Sequence, residues 1–160
     1  MRILILFGAT VVVLMTLVLF IGWLLPETRE GRAEASIKAP PDQVLAVIVD
    51  VETQPGWRDV DAVTRTENGW FEMTARGERI DFVADEMFVD RISLRFTSDA
   101  GYSGEWEARM QPVSGGTQIT VVERTTVPSP LGRIIARLMF DPTAFATAYL
   151  ADLKDHVEGR

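Results

Sequence analysis

The chain has 160 residues, of which 47% are hydrophobic, and its formal net charge is -7. This length fits one domain with a small addition, and an acidic surface repels phosphates, which argues against a nucleic-acid partner. The chain contains no cysteine, which excludes disulfides, thiolate metal sites, a cysteine nucleophile and an acylated lipoprotein anchor.

The first predicted element is a membrane-spanning helix. No residue from Ile3 to Leu25 is charged. At about 1.5 Å per residue this segment would extend about 35 Å, enough to cross a hydrocarbon core of about 30 Å. A cleaved signal peptide is the alternative, because Ala33-Glu34-Ala35 resembles a cleavage site. The apolar run is longer than the roughly 7–15 residues of a signal peptide's apolar region, so we predict that residues 1–25 are an uncleaved anchor.

The orientation of this anchor depends on how flanking charges are counted. Arg2 and the amino terminus are positive, and by net charge they place the N-terminus in the cytoplasm. Counting only Lys and Arg favours the opposite orientation, since Arg29 and Arg32 follow the helix. We predict a single-pass protein of the bacterial inner membrane with its domain on the periplasmic or extracellular side, and the opposite orientation stays open.

Residues 26–32 are predicted as a polar linker and residues 33–160 as the folded domain. Apolar and charged residues alternate in several segments of this domain, which predicts an antiparallel sheet with one apolar and one solvated face. Asn68-Gly69 and Gly115-Gly116 are hairpin signals. The predicted strands span residues 33–38, 58–66, 69–76, 78–86, 91–98, 105–113 and 117–127.

Two short helices are predicted after the first strand, from Pro41 to about Asp50 and from about Glu52 to Trp57. A long C-terminal helix is predicted from Pro130, with Ser129 as its N-cap. Apolar residues recur along this helix at helical spacing, and we expect it to cover the apolar face of the sheet.

Asp141-Pro142 interrupts the C-terminal helix. Pro142 lacks a backbone donor, so the helix must kink or restart there. Arg133 and Arg137 lie four residues apart before this break. We predict that both are solvated, with a contact to lipid headgroups as the alternative.

The predicted order β-αα-β6-α resembles the helix-grip fold of the START-like (SRPBCC) superfamily. The closer resemblance is to the polyketide cyclase/dehydrase and lipid transport family, and it covers residues 33–160. The motifs that carry it are Ser36-Ile37-x-Ala39-Pro40-x-x-x-Val44, Gln54-Pro55-x-Trp57, Gly116-Thr117, Val127-Pro128-x-Pro130-Leu131, Phe140-Asp141 and Tyr149-Leu150-x-Asp152-Leu153-Lys154. The resemblance implies an α+β fold whose sheet wraps around a long kinked C-terminal helix and leaves a cavity between them.

Ligand pockets of this kind are mostly apolar, with a few polar groups that fix orientation. Strand parity and helix spacing predict residues that line the cavity, although each of them could instead be ordinary core. The candidates are Phe71, Met73, Phe82, Phe96, Trp106 and Met110 from the sheet, and Met139 and Tyr149 from the helix.

Glu123 is a further candidate, because it shares the parity of Ile119 and Val121 and is predicted to point inward. A desolvated carboxyl has a raised pKa and can act as a general acid or base. The alternative is a bulge that turns Glu123 toward solvent or an arginine. His156, the only histidine, is predicted on the surface. With one histidine and no cysteine we expect no metal, and with no phosphate-binding glycine loop we expect no cofactor.

Three functions fit these observations. The first is a membrane-anchored binding module that holds a hydrophobic small molecule, such as a lipid, quinone or polyketide-like compound, and contacts the membrane through residues 3–25. The second is a cyclase or dehydratase of aromatic or polyketide intermediates, with Glu123 or Tyr149 transferring protons. The third is an interaction domain that docks on a membrane partner, with an interior filled by Trp106 and Met110.

Overall fold

The computed structural model describes residues 2–159, with side chains described from residue 6 onward. Met1 and Arg160, which the predicted anchor and domain include, lie outside these residues. The helices are α1 (Arg2–Leu24), α2 (Pro41–Val49), α3 (Pro130–Met139) and α4 (Pro142–Val157), with a 3-10 helix at Val51–Gly56. The strands are β1 (Thr28–Ile37), β2 (Ala62–Thr66), β3 (Gly69–Met73), β4 (Arg79–Met87), β5 (Arg91–Ser98), β6 (Ser103–Val113) and β7 (Gly116–Thr126).

All seven strands form one antiparallel sheet in the order β1-β7-β6-β5-β4-β3-β2. This confirms the predicted order of elements and the α+β class. β1 begins earlier than predicted, because Thr28 already pairs with Thr126. The segment 26–32, predicted as a linker, is therefore mostly strand.

The outer face of the sheet is charged, as the alternation predicts. Arginine and carboxylate side chains pair along and across the strands, and most of these pairs are solvent-exposed, so each contributes little stability. The pairs include Arg79–Asp81, Arg95–Asp85, Arg109–Glu107 and Arg124–Glu30.

The inner face of the sheet is concave and carries the core. α4 packs mainly along β1 and β7 and buries Ala146, Leu150 and Leu153. Gly31 of β1 allows this close approach, since a Cβ there would lie 2.3 Å from the carbonyl carbon of Pro142.

α3 does not cover the sheet, so the prediction that the whole C-terminal segment does so is wrong. The helix restarts at Pro142, where the Asp141 carboxylate accepts hydrogen bonds from the backbone N–H groups of Thr143 and Ala144. α3 packs instead against the C-terminal end of α1. Arg133, predicted to be solvated, is buried at this contact, whereas Arg137 is exposed.

Within α1, the segment Leu6–Leu24 is long and apolar enough to cross a membrane, and most of it is not buried by the rest of the protein. Length and composition of this kind fit a membrane anchor and also fit a signal sequence.

Candidate ligand-binding site

Aromatic side chains form a continuous wall across the concave face. The rings of Trp70 and Phe82, which pair across β3 and β4, stack with centroids 5.3 Å apart. The ring centroids of Phe82 and Phe96 on β5 are 5.8 Å apart, and those of Phe96 and Tyr102, which lie in a T-shaped arrangement, are 6.3 Å apart. Three neighbouring strands and the loop after β5 thus present one apolar surface.

A second aromatic group connects β6 of the sheet to α4. The ring of Tyr149 meets Trp106 edge to face at 5.5 Å and lies tilted against Trp57 at 5.9 Å. Trp57 also stacks on His156, whose ring is 5.5 Å away and which is exposed, as predicted. We call the surface formed by Trp70, Phe82, Phe96, Tyr102, Trp106 and Tyr149 the aromatic groove.

The groove is partly accessible over β4. The inward side chains of this strand, Ile80, Phe82 and Ala84, are only half-buried. The groove residues on either side, Trp70 and Phe96, are buried. Because α4 packs mainly along β1 and β7, apolar surface over β4 stays partly accessible.

A buried polar cluster lies beside Trp70. Arg58 forms an ion pair with Glu72, which points inward from β3. The Arg58 Nε donates to Oε1 of Gln54 at 2.9 Å, and the Trp70 Nε1 donates to Oε1 of Glu72 at 3.2 Å. The Arg58 guanidinium carbon also lies 5.8 Å from the centre of the Tyr149 ring. Sequence reasoning missed this cluster, although Gln54 belongs to the Gln-Pro-x-Trp motif.

Glu123 points inward from β7, opposite Trp106 on β6 and Gly31 on β1. Its side chain is 6% exposed, and the Thr125 hydroxyl donates to its carboxylate at 3.1 Å. Within residues 2–159 we find no ion pair to this carboxylate. Burial therefore raises the pKa of Glu123 from its ordinary 4.5 to about 7, and the Thr125 hydrogen bond offsets part of that rise. Such a carboxyl can accept or donate a proton near neutral pH.

Tyr102 lies near Glu123 at the end of the groove. Burial is the main cause that raises the pKa of its phenol, and the hydrogen bond that its O–H donates to the Glu78 carboxylate adds to the rise. The negative charge of Glu123 acts in the same direction. Burial likewise raises the pKa of Tyr149. Both phenols remain protonated at neutral pH and can donate hydrogen bonds to a ligand.

The predictions for Phe71 and Met73 are wrong, because both side chains point to the outer face. Phe71 lies under the guanidinium of Arg79, whose carbon is 4.0 Å from the ring centre. β3 has an aromatic residue on each of its two faces, so aromatic residues alone do not determine which face points inward, and Glu72 decides it. Its pairing with Arg58 allows this carboxylate to be buried, and Trp70 and Glu72 point inward instead.

Two methionines also differ from their predicted places. Met110 is on the inner face but only 1% exposed, which makes it core. Met139 ends α3 and is 72% exposed, so it does not line the interior. Phe82, Phe96, Trp106, Glu123 and Tyr149 do lie together on the concave side. Their role in binding remains a prediction.

Two surface pockets lie away from the groove. One is formed by Lys38–Pro41 with Pro112, Val113, Gly115 and Gly116, and the other by Arg29 with Arg137–Asp141. Neither lies between the sheet and α4, where the cavity was predicted. Over the described part of the chain, no cluster of three or more His, Asp or Glu side chains could hold a metal ion.

No protein-family model matches the chain, and no curated protein matches it significantly. Solved structures do match it. The Zhui aromatase/cyclase from Streptomyces sp. R1128 aligns with TM-score 0.68 and 16% identity, over 83% of this chain and 95% of that one. A START superfamily protein from Mycobacterium smegmatis aligns with TM-score 0.60 and 14% identity, over 81% and 97%.

A third match is DynU16, from the dynemicin biosynthetic locus, with TM-score 0.60 and 20% identity over 81% of this chain. The chain spans only 47% of DynU16, so it corresponds to about half of that protein. At these identities the likeness shows the fold: the domain is a START-like helix-grip fold of the kind found in aromatase/cyclases. Because one fold hosts many activities, function must be argued from the groove itself.

Proposed function

We propose that the protein is a membrane-anchored START-like domain that binds a hydrophobic small molecule in the aromatic groove. The observation that carries this proposal is the aromatic wall of Trp70, Phe82 and Phe96, which is partly accessible over β4. Ordinary core would be expected to cover such a wall with a helix. Flat rings along one surface favour an aromatic or polyene ligand, such as a quinone or polyketide-like compound, and a lipid is the remaining class.

Two polar sites flank the wall and would orient the ligand. The Arg58–Glu72 pair offers donors and acceptors beside Trp70, while Glu123 and Tyr102 offer a carboxyl and a phenol at the other side. A few polar groups in an apolar site are the arrangement that fixes a ligand's orientation.

The anchor fits a ligand of this kind. Hydrophobic compounds partition into bilayers, so α1 would hold the groove beside the source of its ligand. We further propose that the N-terminus is cytoplasmic and the domain periplasmic. Alkaline phosphatase fused to the C-terminus tests this side. We expect the fused phosphatase to be active. An inactive fusion whose domain is accessible to protease from the cytoplasmic side would show the opposite orientation.

The binding test is native mass spectrometry of the full chain from its producing organism, followed by organic extraction of what is retained. Phe82→Ala and Phe71→Ala form a matched pair, because these phenylalanines lie on paired strands but opposite faces. We expect Phe82→Ala to lower retention of the compound at least several-fold and Phe71→Ala to leave it unchanged. Equal losses, or a wild-type chain that retains nothing, would contradict the proposal.

Catalysis in the same groove is the second candidate, and the carboxyl of Glu123 favours it. With a pKa of about 7 this group could take a proton from a carbon next to a carbonyl and return it to a departing hydroxyl, as cyclisation with loss of water requires. Glu123→Gln separates the two functions. If the protein is a binding module, the wild-type chain converts nothing and Glu123→Gln still retains the compound. If it is a cyclase, the wild-type chain converts the compound, and Glu123→Gln retains it but no longer converts it.

The interaction-domain hypothesis also has support, since Trp106 and Met110 are buried as a filled interior requires. It predicts no retained compound in the wild-type chain and no difference between Phe82→Ala and Phe71→Ala. The same experiment therefore distinguishes it from binding.

A further inference from the structure

α3 has an inverted distribution of apolar and charged side chains. Its apolar residues Leu131, Ile135, Leu138 and Met139, spaced at i, i+4, i+7 and i+8, form one exposed face. Leu138 is 80% exposed, whereas Arg133 on the opposite side is 7% exposed. A surface helix in water normally turns its apolar stripe inward and its charges outward.

Arg133 fixes this inverted orientation. Its guanidinium donates to the carbonyl oxygens of Val127 at 3.0 Å and Pro128 at 2.9 Å. It also reaches the carbonyls of Trp23 and Leu25 at the end of α1, at 3.4 and 3.3 Å, and pairs with Glu27. The buried charge is thus satisfied by acceptors on both sides of the contact, and the helix cannot rotate without losing them.

Backbone contacts hold the two ends of α3 as well. A Cβ on Gly22 would lie 2.1 Å from the Pro130 carbonyl oxygen, so the start of α3 touches α1 directly. The Arg29 Nη1 donates to the carbonyls of Ala136 and Phe140 at 3.1 and 2.8 Å, which caps the other end. α3 is therefore set firmly beside the last turn of α1.

We infer that α3 is a membrane-interface helix whose exposed apolar face lies in the lipid bilayer. The inference rests on the proposed function in one respect, that α1 spans a membrane. The occupant is the bilayer because α3 is packed against the last turn of α1, where Trp23 and Leu24 are also apolar and exposed. An amphipathic helix buries such a face about 5–10 Å into the boundary between headgroups and acyl chains, and Arg137 can extend toward the headgroups.

This placement orients the groove. Thr28, at the start of β1 beside α1, pairs with Thr126 of β7, and Thr126 pairs in turn with Ser103 of β6. Tyr102 and Glu123 therefore lie in the half of the sheet next to α1. The other half ends in the hairpin of Phe88 and Val89, which is also apolar and exposed. α3 would hold the end with Glu123 toward the bilayer and this hairpin away from it.

Single-cysteine variants of the full chain test the inference, because the natural sequence has no cysteine and each variant carries one label. Leu138→Cys reports on α3, Val89→Cys is an equally apolar control at the far hairpin, and Leu17→Cys reports on the middle of α1. Each is labelled with an environment-sensitive nitrobenzoxadiazole dye in phosphatidylcholine vesicles. Lipids that carry a nitroxide at a shallow or a deep position quench the dye according to its depth.

We expect strong deep quenching at residue 17, several-fold stronger shallow than deep quenching at residue 138, and none at residue 89. Absence of quenching at both 138 and 89 would overturn the inference while leaving the anchor intact. Equally strong quenching at both positions would also overturn it, since the membrane contact would then not be specific to α3. No quenching at residue 17 would refute the anchor itself and the inference with it.

Discussion

Apolar residues recur at similar spacing in α3 and α4, but the apolar face is exposed in α3 and buried in α4. α4 buries its apolar side against β1 and β7, and Leu153 is fully buried. α3 begins only twelve residues earlier in the chain, yet it exposes its apolar side and buries Arg133. Helical spacing shows that a helix has an apolar face, but it does not show which environment that face meets.

The break between the two helices makes this difference possible. Phe140 and Asp141 are extended, and the Asp141 carboxylate caps α4 while Ser129 caps α3. Each helix therefore has its own start and can set its own rotation. α4 is fixed against Gly31 of β1, and α3 is fixed by Arg133 against α1. The apolar face of α4 meets the protein interior. The apolar face of α3 meets the exterior, which we infer to be lipid.

The largest expected effect comes from truncating a leucine on each helix. Leu153→Ala leaves a cavity in a close-packed core and should lower the free energy of unfolding by about 2–5 kcal/mol. Leu138→Ala removes an exposed side chain and should change it by no more than about 0.5 kcal/mol. Chemical denaturation of the full chain in detergent, followed by tryptophan fluorescence, measures both. Equal losses would show that α3 and α4 are packed alike.

The next effect concerns the charges beneath the two helices, because Arg133 pairs with Glu27, whereas Glu123 forms no ion pair within residues 2–159. In the folded state the pKa of Glu123 is about 7, above its ordinary 4.5. Between these values the folded chain holds a proton that the unfolded chain has lost. Stability should therefore fall as pH rises from 4.5 to 7, by up to about 3 kcal/mol.

Glu123→Gln should remove this pH dependence, and denaturation at several pH values measures it. Glu105→Gln is the control, since Glu105 lies on the outer face opposite Arg124 and is exposed. An unchanged slope in Glu123→Gln would mean that the carboxyl is solvated in the folded protein.

The parts of this fold that sequence reasoning predicted are those set by local patterns. The glycine pair at 115–116 closes the β6–β7 hairpin, with Gly115 at φ 89°, and Pro130 and Pro142 start helices where the sequence places them. Glu123 points inward because it follows the parity of Ile119 and Val121 along an unbroken strand. In each case the signal lies within a few residues of the feature.

The errors come from pairings between distant residues. Glu72 is buried because Arg58, on the segment before β2, neutralises it, and this reverses the parity that would have placed Phe71 inside. Arg133 is buried because Glu27 and the end of α1 lie more than a hundred positions away in sequence but adjacent in space. A single sequence does not reveal which charge meets which, so a charged residue is placed outside by default.

The smallest expected effect tests how firmly α3 is held. Arg133→Ala leaves the carbonyls of Val127 and Pro128 and two at the end of α1 without their donor, and should cost about 1–3 kcal/mol. Arg137→Ala is the matched control, because Arg137 is exposed on the same helix and should change stability by at most about 0.5 kcal/mol. Amide hydrogen exchange separates a local effect from a general one. We expect faster exchange in α3 and unchanged exchange in α4, because α4 is held by the sheet; equal acceleration in both would mean that Arg133 supports the whole domain and not the α1–α3 contact.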